Sequence, residues 1–193
     1  MKKIKLLSPL LAILVTIVMG CFNKMSEEIQ NKTAGMNGSF EVTESGLPVN
    51  WLIYSPKTVP TGRFELIIDT TEYKDGKQSL KFLVDECSPD GGFRSPGISQ
   101  EYDAIPGESY KLSCWIKNDG CKFIIKIGGV SAFEGQTDTV IVSKESINTW
   151  KKLEYNYKMP SDFKRIRFDL NILQPGSFWI DDIKIELVNN KNE

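Results

Sequence analysis

Tyr110-Lys111-Leu112-Ser113-Cys114-Trp115-Ile116-Lys117 alternates without a break: Tyr110, Leu112, Cys114 and Ile116 on one parity, Lys111, Ser113, Trp115 and Lys117 on the other. A period of two sends successive side chains to opposite faces of an extended chain, so this is a strand with one face in a core and one in water. The same period recurs in Leu80, Phe82 and Val84, in Phe123, Ile125 and Ile127, and in Leu153, Tyr155 and Tyr157. It returns in Ile166, Phe168 and Leu170, and lastly in Ile183, Ile185 and Leu187. Between these runs stand Asp75-Gly76, Pro89-Asp90-Gly91-Gly92, Pro106-Gly107, Asn118-Asp119-Gly120 and Pro175-Gly176, residues that turn a chain rather than extend it. No helical period is long enough to demand a helix, although residues 144–148 can form one turn. Many short strands, each with one apolar face, predict an all-β fold of two antiparallel sheets packed face to face, a β-sandwich of jelly-roll type.

The chain starts differently. Met1-Lys2-Lys3-Ile4-Lys5 is basic, residues 6–19 are apolar, and Gly20-Cys21 closes the run. That layout is a secretory signal peptide over residues 1–20, too short for a comfortable membrane span. Val18-Met19-Gly20-Cys21 resembles the lipobox of bacterial lipoproteins, which implies cleavage before Cys21 and lipid on its thiol. The expected location is extracytoplasmic and membrane-anchored, at an outer membrane or cell surface, because Phe22 does not resemble an inner-membrane retention signal. Residues 22–36 are polar and without an apolar period, and read as a flexible tether of about 15 residues reaching on the order of 20 Å. The sandwich is expected over residues 37–188 and a polar tail over 189–193.

Bulk chemistry narrows the function. The net charge is −1 over 193 residues and about −4 once the three lysines of the leader are removed, which excludes a phosphate-neutralising basic face and hence nucleic acid. No histidine is present, so serine or cysteine triads and ordinary zinc sites are disfavoured. After Cys21 there remain Cys87, Cys114 and Cys121, enough for one bridge and one leftover thiol in an oxidising compartment. The pairing stays open: Cys114–Cys121 would span a tight hairpin, and Cys114, on an apolar parity, fits equally well as a core thiol.

Several pieces, in order, resemble carbohydrate-binding modules of families four, nine and 22, built on a galactose-binding-like jelly roll. They are Asn37-Gly38-Ser39-Phe40-Glu41, Gly46-Leu47-Pro48-Val49-Asn50-Trp51, Asp75-Gly76-Lys77-Gln78-Ser79-Leu80, residues 106–117, Thr149-Trp150-Lys151-Lys152-Leu153 and residues 176–183. The resemblance implies non-catalytic binding of an oligo- or polysaccharide by a monomer. It implies core or lid roles for Trp51, Trp150 and Trp179. It also implies a structural Ca2+ held by the carboxylates of Glu41 and Asp181 with the carbonyls of Ser39 and Lys77, hard oxygen donors of the kind calcium prefers. Asp181 is expected on the core-facing parity of Ile183 and Ile185.

For the ligand, Trp115 is the first candidate, since its parity projects an indole from the outer face as a platform for a pyranose ring. Gln100, Lys126, Arg167, Asp169 and Asn171, all expected on outward parities of the same sheet, would hydrogen-bond the hydroxyls. Tyr54 and Phe93 are further aromatic candidates on loops at the sheet edge. Two alternatives stand beside sugar binding: a structural or adhesion protein using the same sandwich for protein contact, and a small glycoside hydrolase. The last would need two facing carboxyls, for which Glu101 with Asp103 and Glu65 with Asp169 are the available pairs.

Overall fold

The structure is a computed structural model describing residues 27–131 and 134–188. The predicted signal peptide, Cys21 and the 189–193 tail lie outside the described residues. Strands β1 (Thr43–Glu44) and β2 (Leu47–Pro48) form a small hairpin, and β3 is Leu52–Tyr54. There follow β4 (Arg63–Asp69), β5 (Ser79–Glu86), β6 (Gly97–Asp103), β7 (Ser109–Asp119) and β8 (Phe123–Val130). The chain continues with β9 (Gly135–Ser143), β10 (Ile147–Lys158), β11 (Arg165–Ile172) and β12 (Gly176–Leu187). One 3-10 turn spans Gly92–Arg94, and the helical turn expected at 144–148 is instead a loop entering β10.

Two antiparallel sheets of five strands result, ordered β10-β7-β12-β5-β4 and β3-β6-β11-β8-β9, as the all-β sandwich reading requires. The predicted apolar parities fill the space between them. Leu80, Phe82, Cys114, Ile116, Phe123, Ile125, Ile127, Phe168 and Leu170 are all fully buried. Burial of each large side chain contributes about 1.5–3 kcal/mol, which is why so many short strands hold together. Trp51 is fully buried, stacks at 5.6 Å on Phe40 and edge-on at 5.9 Å on Phe168, and its indole N–H donates to the Asn37 carbonyl at 3.1 Å. Trp150 is half-buried on β10.

The N-terminal and C-terminal parts of the domain meet. The Ile183 amide donates to the Gly38 carbonyl at 3.0 Å, and a β-carbon on Gly38 would overlap the Ile183 carbonyl, so only glycine fits there. The tether boundary differs from the sequence reading. The Glu27 amide donates to the Ile53 carbonyl at 2.9 Å, and the Ile53 amide returns the bond at 2.7 Å. Residues 27–36 are therefore laid on the domain beside β3, because the edge of a three-residue strand leaves amides and carbonyls needing partners.

Candidate functional site

Strand order divides the predicted ligand set. Trp115 is on β7 of the first sheet, whereas Gln100 (β6), Lys126 (β8) and Arg167, Asp169 and Asn171 (β11) all belong to the second. The outer faces of the two sheets point in opposite directions, so Trp115 cannot share a ligand with the other five. Its indole does project outward, half-buried, but the Lys74 ammonium lies 4.2 Å from the ring centroid and roofs the platform. Trp179, expected in the core or its lids, is on the same outer face: it lies under Lys81 at 4.7 Å and Lys117 at 5.0 Å, and its N–H donates to Asp69 at 2.9 Å.

Gln100 is also corrected. It pairs with core-facing Phe168 and so has inward parity; its amide donates to the Asn50 carbonyl at 2.6 Å and accepts from the Tyr102 hydroxyl. Buried Ile98 sets the parity of β6, leaving Gly97, Ser99 and Glu101 outward.

The outer face of the second sheet can be read row by row from the pairing. Across one row stand Tyr54, Gly97, Asn171, Ile124 and Val142; across the next Leu52, Ser99, Asp169, Lys126 and Thr139. A third holds Glu101, Arg167, Gly128 and Thr137. Gly97 and Gly128 are buried, and a β-carbon on either would overlap its neighbours, Leu170 and Asn171 at Gly97 and Gln136 and Thr137 at Gly128, so glycine there lets the chains pack closely. Burial raises the Asp169 carboxyl above its usual range, against the opposing effect of the Ser99 hydroxyl, Arg167 and Lys126. Burial and the nearby Asp169 likewise push up the Tyr54 phenol. Arg167 donates from Nε to Glu101 at 2.8 Å, and Arg165 reaches the other oxygen of Glu101 at 2.7 Å. Glu101 is thus held between two guanidiniums, and Glu65 is on the other sheet from Asp169, so that second carboxyl pair does not form.

Asn171 has a different job. Its side chain accepts from the Gly92 amide and donates to the Gly92 carbonyl, both at 2.9 Å, pinning the 88–95 loop to the sheet. That loop carries Phe93, 48% exposed, with Arg94 at 5.7 Å from its ring. The two weaker aromatic candidates, Tyr54 and Phe93, thus join Lys126, Arg167 and Asp169 at one face. Beyond Ser99 the face opens into a cleft of about 770 Å³, bounded on its far side by residues 28–36.

The expected cation ligands are arranged around the 74–78 loop. Glu41 Oε1 accepts from the Lys77 and Gln78 amides at 2.8 and 3.1 Å. Asp181 Oδ2 accepts from Lys74 and Asp75 at 2.7 and 2.8 Å, and Oδ1 from the Asp182 amide at 2.7 Å. Asp181 is not on the core parity of Ile183 and Ile185. It pairs with Trp115, and a bulge between Asp181 and Lys184 inserts one residue, so the parity inverts there. Asp181 is nevertheless fully buried, beneath the loop, and that burial pushes its carboxyl up to about 6 although three amides oppose the shift. A carboxylate offers about four acceptor positions; these bonds use three on Asp181 and two on Glu41, so both retain capacity for a hard cation. No three acidic, histidine or cysteine side chains converge among the described residues, so further ligands there would be main-chain carbonyls such as those of Ser39 and Lys77.

The sequence profile of the family described as "Carbohydrate binding domain" matches residues 34–176. The chain belongs to that family. This carbohydrate-binding domain is similar in fold to the CBM22-1 xylan-binding domain of Paenibacillus barcinonensis Xyn10C, with 17% identity, a TM-score of 0.55, and coverage of 78% of this chain and 92% of that one. It is also similar to the C-terminal family 22 carbohydrate-binding module of Clostridium thermocellum Xyn10B, with 18% identity, a TM-score of 0.54, and coverage of 80% and 94%. The enzymatically active domain of bacteriophage CBA120 tailspike protein 4 aligns at 16% identity and a TM-score of 0.59, over 79% of this chain and 21% of that one. No curated protein sequence is significantly similar to it. The matched family is described by binding, not by catalysis. Within this domain the sequence reading passed over Ser99 and weighed Glu101 only as half of a carboxyl pair, although Gly97-Ile98-Ser99 already carried the parity that turns both outward.

Proposed function

We propose that this carbohydrate-binding domain holds a polysaccharide, without cleaving it, along the outer face of the second sheet, and that Cys21 carries the lipid that fixes it to an extracytoplasmic membrane surface. The observation that carries the reading is the placement of Tyr54, Asp169, Lys126 and Arg167 on adjacent rows of one sheet face, to which Asn171 pins the loop that carries exposed Phe93. Aromatic rings offer apolar faces to the C–H surface of a sugar, and neighbouring donors and acceptors satisfy its hydroxyls. The similar solved domains described as xylan-binding make xylan the first polymer to try. In this reading a Ca2+ near Glu41 and Asp181 is structural: the carboxylates hold the 74–78 loop on the opposite sheet, away from the sugar.

Affinity electrophoresis of the protein in gels containing xylan, β-glucan or no polymer tests the reading. Retardation by one polymer, removed by Tyr54→Ala, is expected. Equal mobility in all gels, together with silence on a broad glycan array, would exclude it.

A further inference from the structure

Residues 28–36 do more than lead into the domain. Asn50, held at φ +67°, has its amide donate to the Ile29 carbonyl at 2.6 Å. Its side chain donates to the Asn31 and Gly35 carbonyls, both at 2.8 Å, and accepts from the Asn31 amide at 2.7 Å. One residue therefore fixes the segment at three points. Glu27 adds the paired backbone bonds to Ile53, and its carboxylate accepts from the Ser55 hydroxyl at 2.8 Å and from Lys57 at 2.9 Å. Positioned in this way, Gln30, Asn31 and Lys32 face Ser99, Glu101 and Arg165 across the 770 Å³ cleft, a volume inside the roughly 300–1,000 Å³ range of small-molecule sites.

Two further facts give the cleft its meaning. Ser99 and Glu101 belong both to the cleft and to the rows of the sheet face, so the two surfaces are continuous. The family match begins at residue 34, so Gln30, Asn31 and Lys32 lie before the matched residues. The lining brings the Gln30 and Asn31 amides together with the charged groups of Glu28, Lys32, Glu101 and Arg165, and its one aromatic ring, Tyr102, has its hydroxyl engaged with Gln100. Such a surface reads hydroxyl groups by hydrogen bonding rather than by stacking.

Resting on the sheet-face reading above, we propose that residues 28–36 wall an additional saccharide subsite at the end of that face, which binds the hydroxyl groups of sugar units beyond those held near Tyr54. The segment then sets the length of chain the protein prefers. Because the wall side chains are on the surface and Asn50 holds the backbone, the double variant Gln30→Ala/Lys32→Ala leaves the fold intact, whereas Asn50→Asp removes the donors to the Asn31 and Gly35 carbonyls and loosens the wall itself.

Calorimetric titration of the full chain with the series xylobiose to xylohexaose, in wild type and both variants, tests this. Wild type should gain affinity up to the longest members, and the double variant should keep its affinity for the short members while losing about tenfold for xylohexaose. Asn50→Asp should show the same selective loss. Identical length profiles in wild type and the double variant would overturn the subsite and leave the sheet-face reading standing. If wild type binds no member of the series, the subsite as proposed for xylan falls, and the sheet-face reading falls with it only if no polymer in the gels and no glycan on the array is bound.

Discussion

Glu41 and Asp181, from opposite ends of the domain, hold one loop between them: Glu41 Oε1 takes the amides of Lys77 and Gln78 at 2.8 and 3.1 Å, and Asp181 Oδ2 those of Lys74 and Asp75 at 2.7 and 2.8 Å. Gly76 sits between the two pairs at φ +66°, and a β-carbon there would overlap the Glu41 carboxylate. The clamp fixes Lys74, and Lys74 roofs Trp115.

If a calcium ion joins this clamp, it binds the folded state alone and raises stability by mass action. The melting temperature of wild type should climb with calcium and fall in chelator, and Glu41→Gln or Asp181→Asn should flatten that response. A wild-type melting curve identical in chelator and millimolar calcium would show that the carboxylates serve the loop amides alone.

Trp115 and Tyr54 should separate stability from binding. Trp115→Ala removes a half-buried indole under Lys74 and should cost about 1–3 kcal/mol in urea unfolding, with polysaccharide affinity unchanged. Tyr54→Ala should do the converse, weakening binding at least tenfold for a smaller loss of stability. Loss of binding in Trp115→Ala at unchanged Tyr54 would place the ligand on the first sheet.

Asp69 gives a pH signature. Burial raises its carboxyl, but hydrogen bonds from the Thr71 hydroxyl, the Trp179 indole and the Thr71 and Glu72 amides outweigh this and hold it at about 2, below its ordinary 3.8. A depressed folded-state pKa means a contribution present in full above 3.8 and lost as the pH falls through 2. Asp69→Asn should therefore cost about 1–2 kcal/mol at neutral pH and nothing near the acid end of that window. Parallel stability curves for variant and wild type at every pH would refute the assignment.

The three described thiols should be inert. Burial pushes Cys87 up to about 11 and Cys114 and Cys121 up to about 12, so little thiolate forms at neutral pH. All three are free in the structure. Iodoacetamide should leave Cys114 and Cys121 unlabelled in native protein and modify them after unfolding, as read by mass. Rapid native labelling of Cys114 would mean the sandwich opens there.

Anchoring is tested at Cys21, where Cys21→Ser should move the protein from the membrane fraction to the soluble one. Wild-type protein that is already wholly soluble, with no lipid mass at its first residue, would remove the anchor from the proposal.

Sequence alone determined what is local. The period of two in residues 110–117 and 123–127 fixed which side chains enter the core, and Leu80, Phe82, Ile116, Ile125 and Phe168 are all fully buried as their parity required. This works because alternation follows from the geometry of one strand, whatever that strand pairs with. Which strands become neighbours is a different matter, since every amphipathic strand here presents the same alternation and nothing local labels it for one sheet or the other. Only long-range pairing put Trp115 on β7 of one sheet and Lys126, Arg167 and Asp169 on the other, dividing a ligand set that parity alone had grouped. The single extra residue between Asp181 and Lys184 likewise inverted a parity that the Ile183–Ile185 spacing had suggested. Residues 27–36, with no apolar period of their own, became a wall because the short β3 edge and Asn50 supplied hydrogen-bond partners, an interaction that exists only once the sheet has formed.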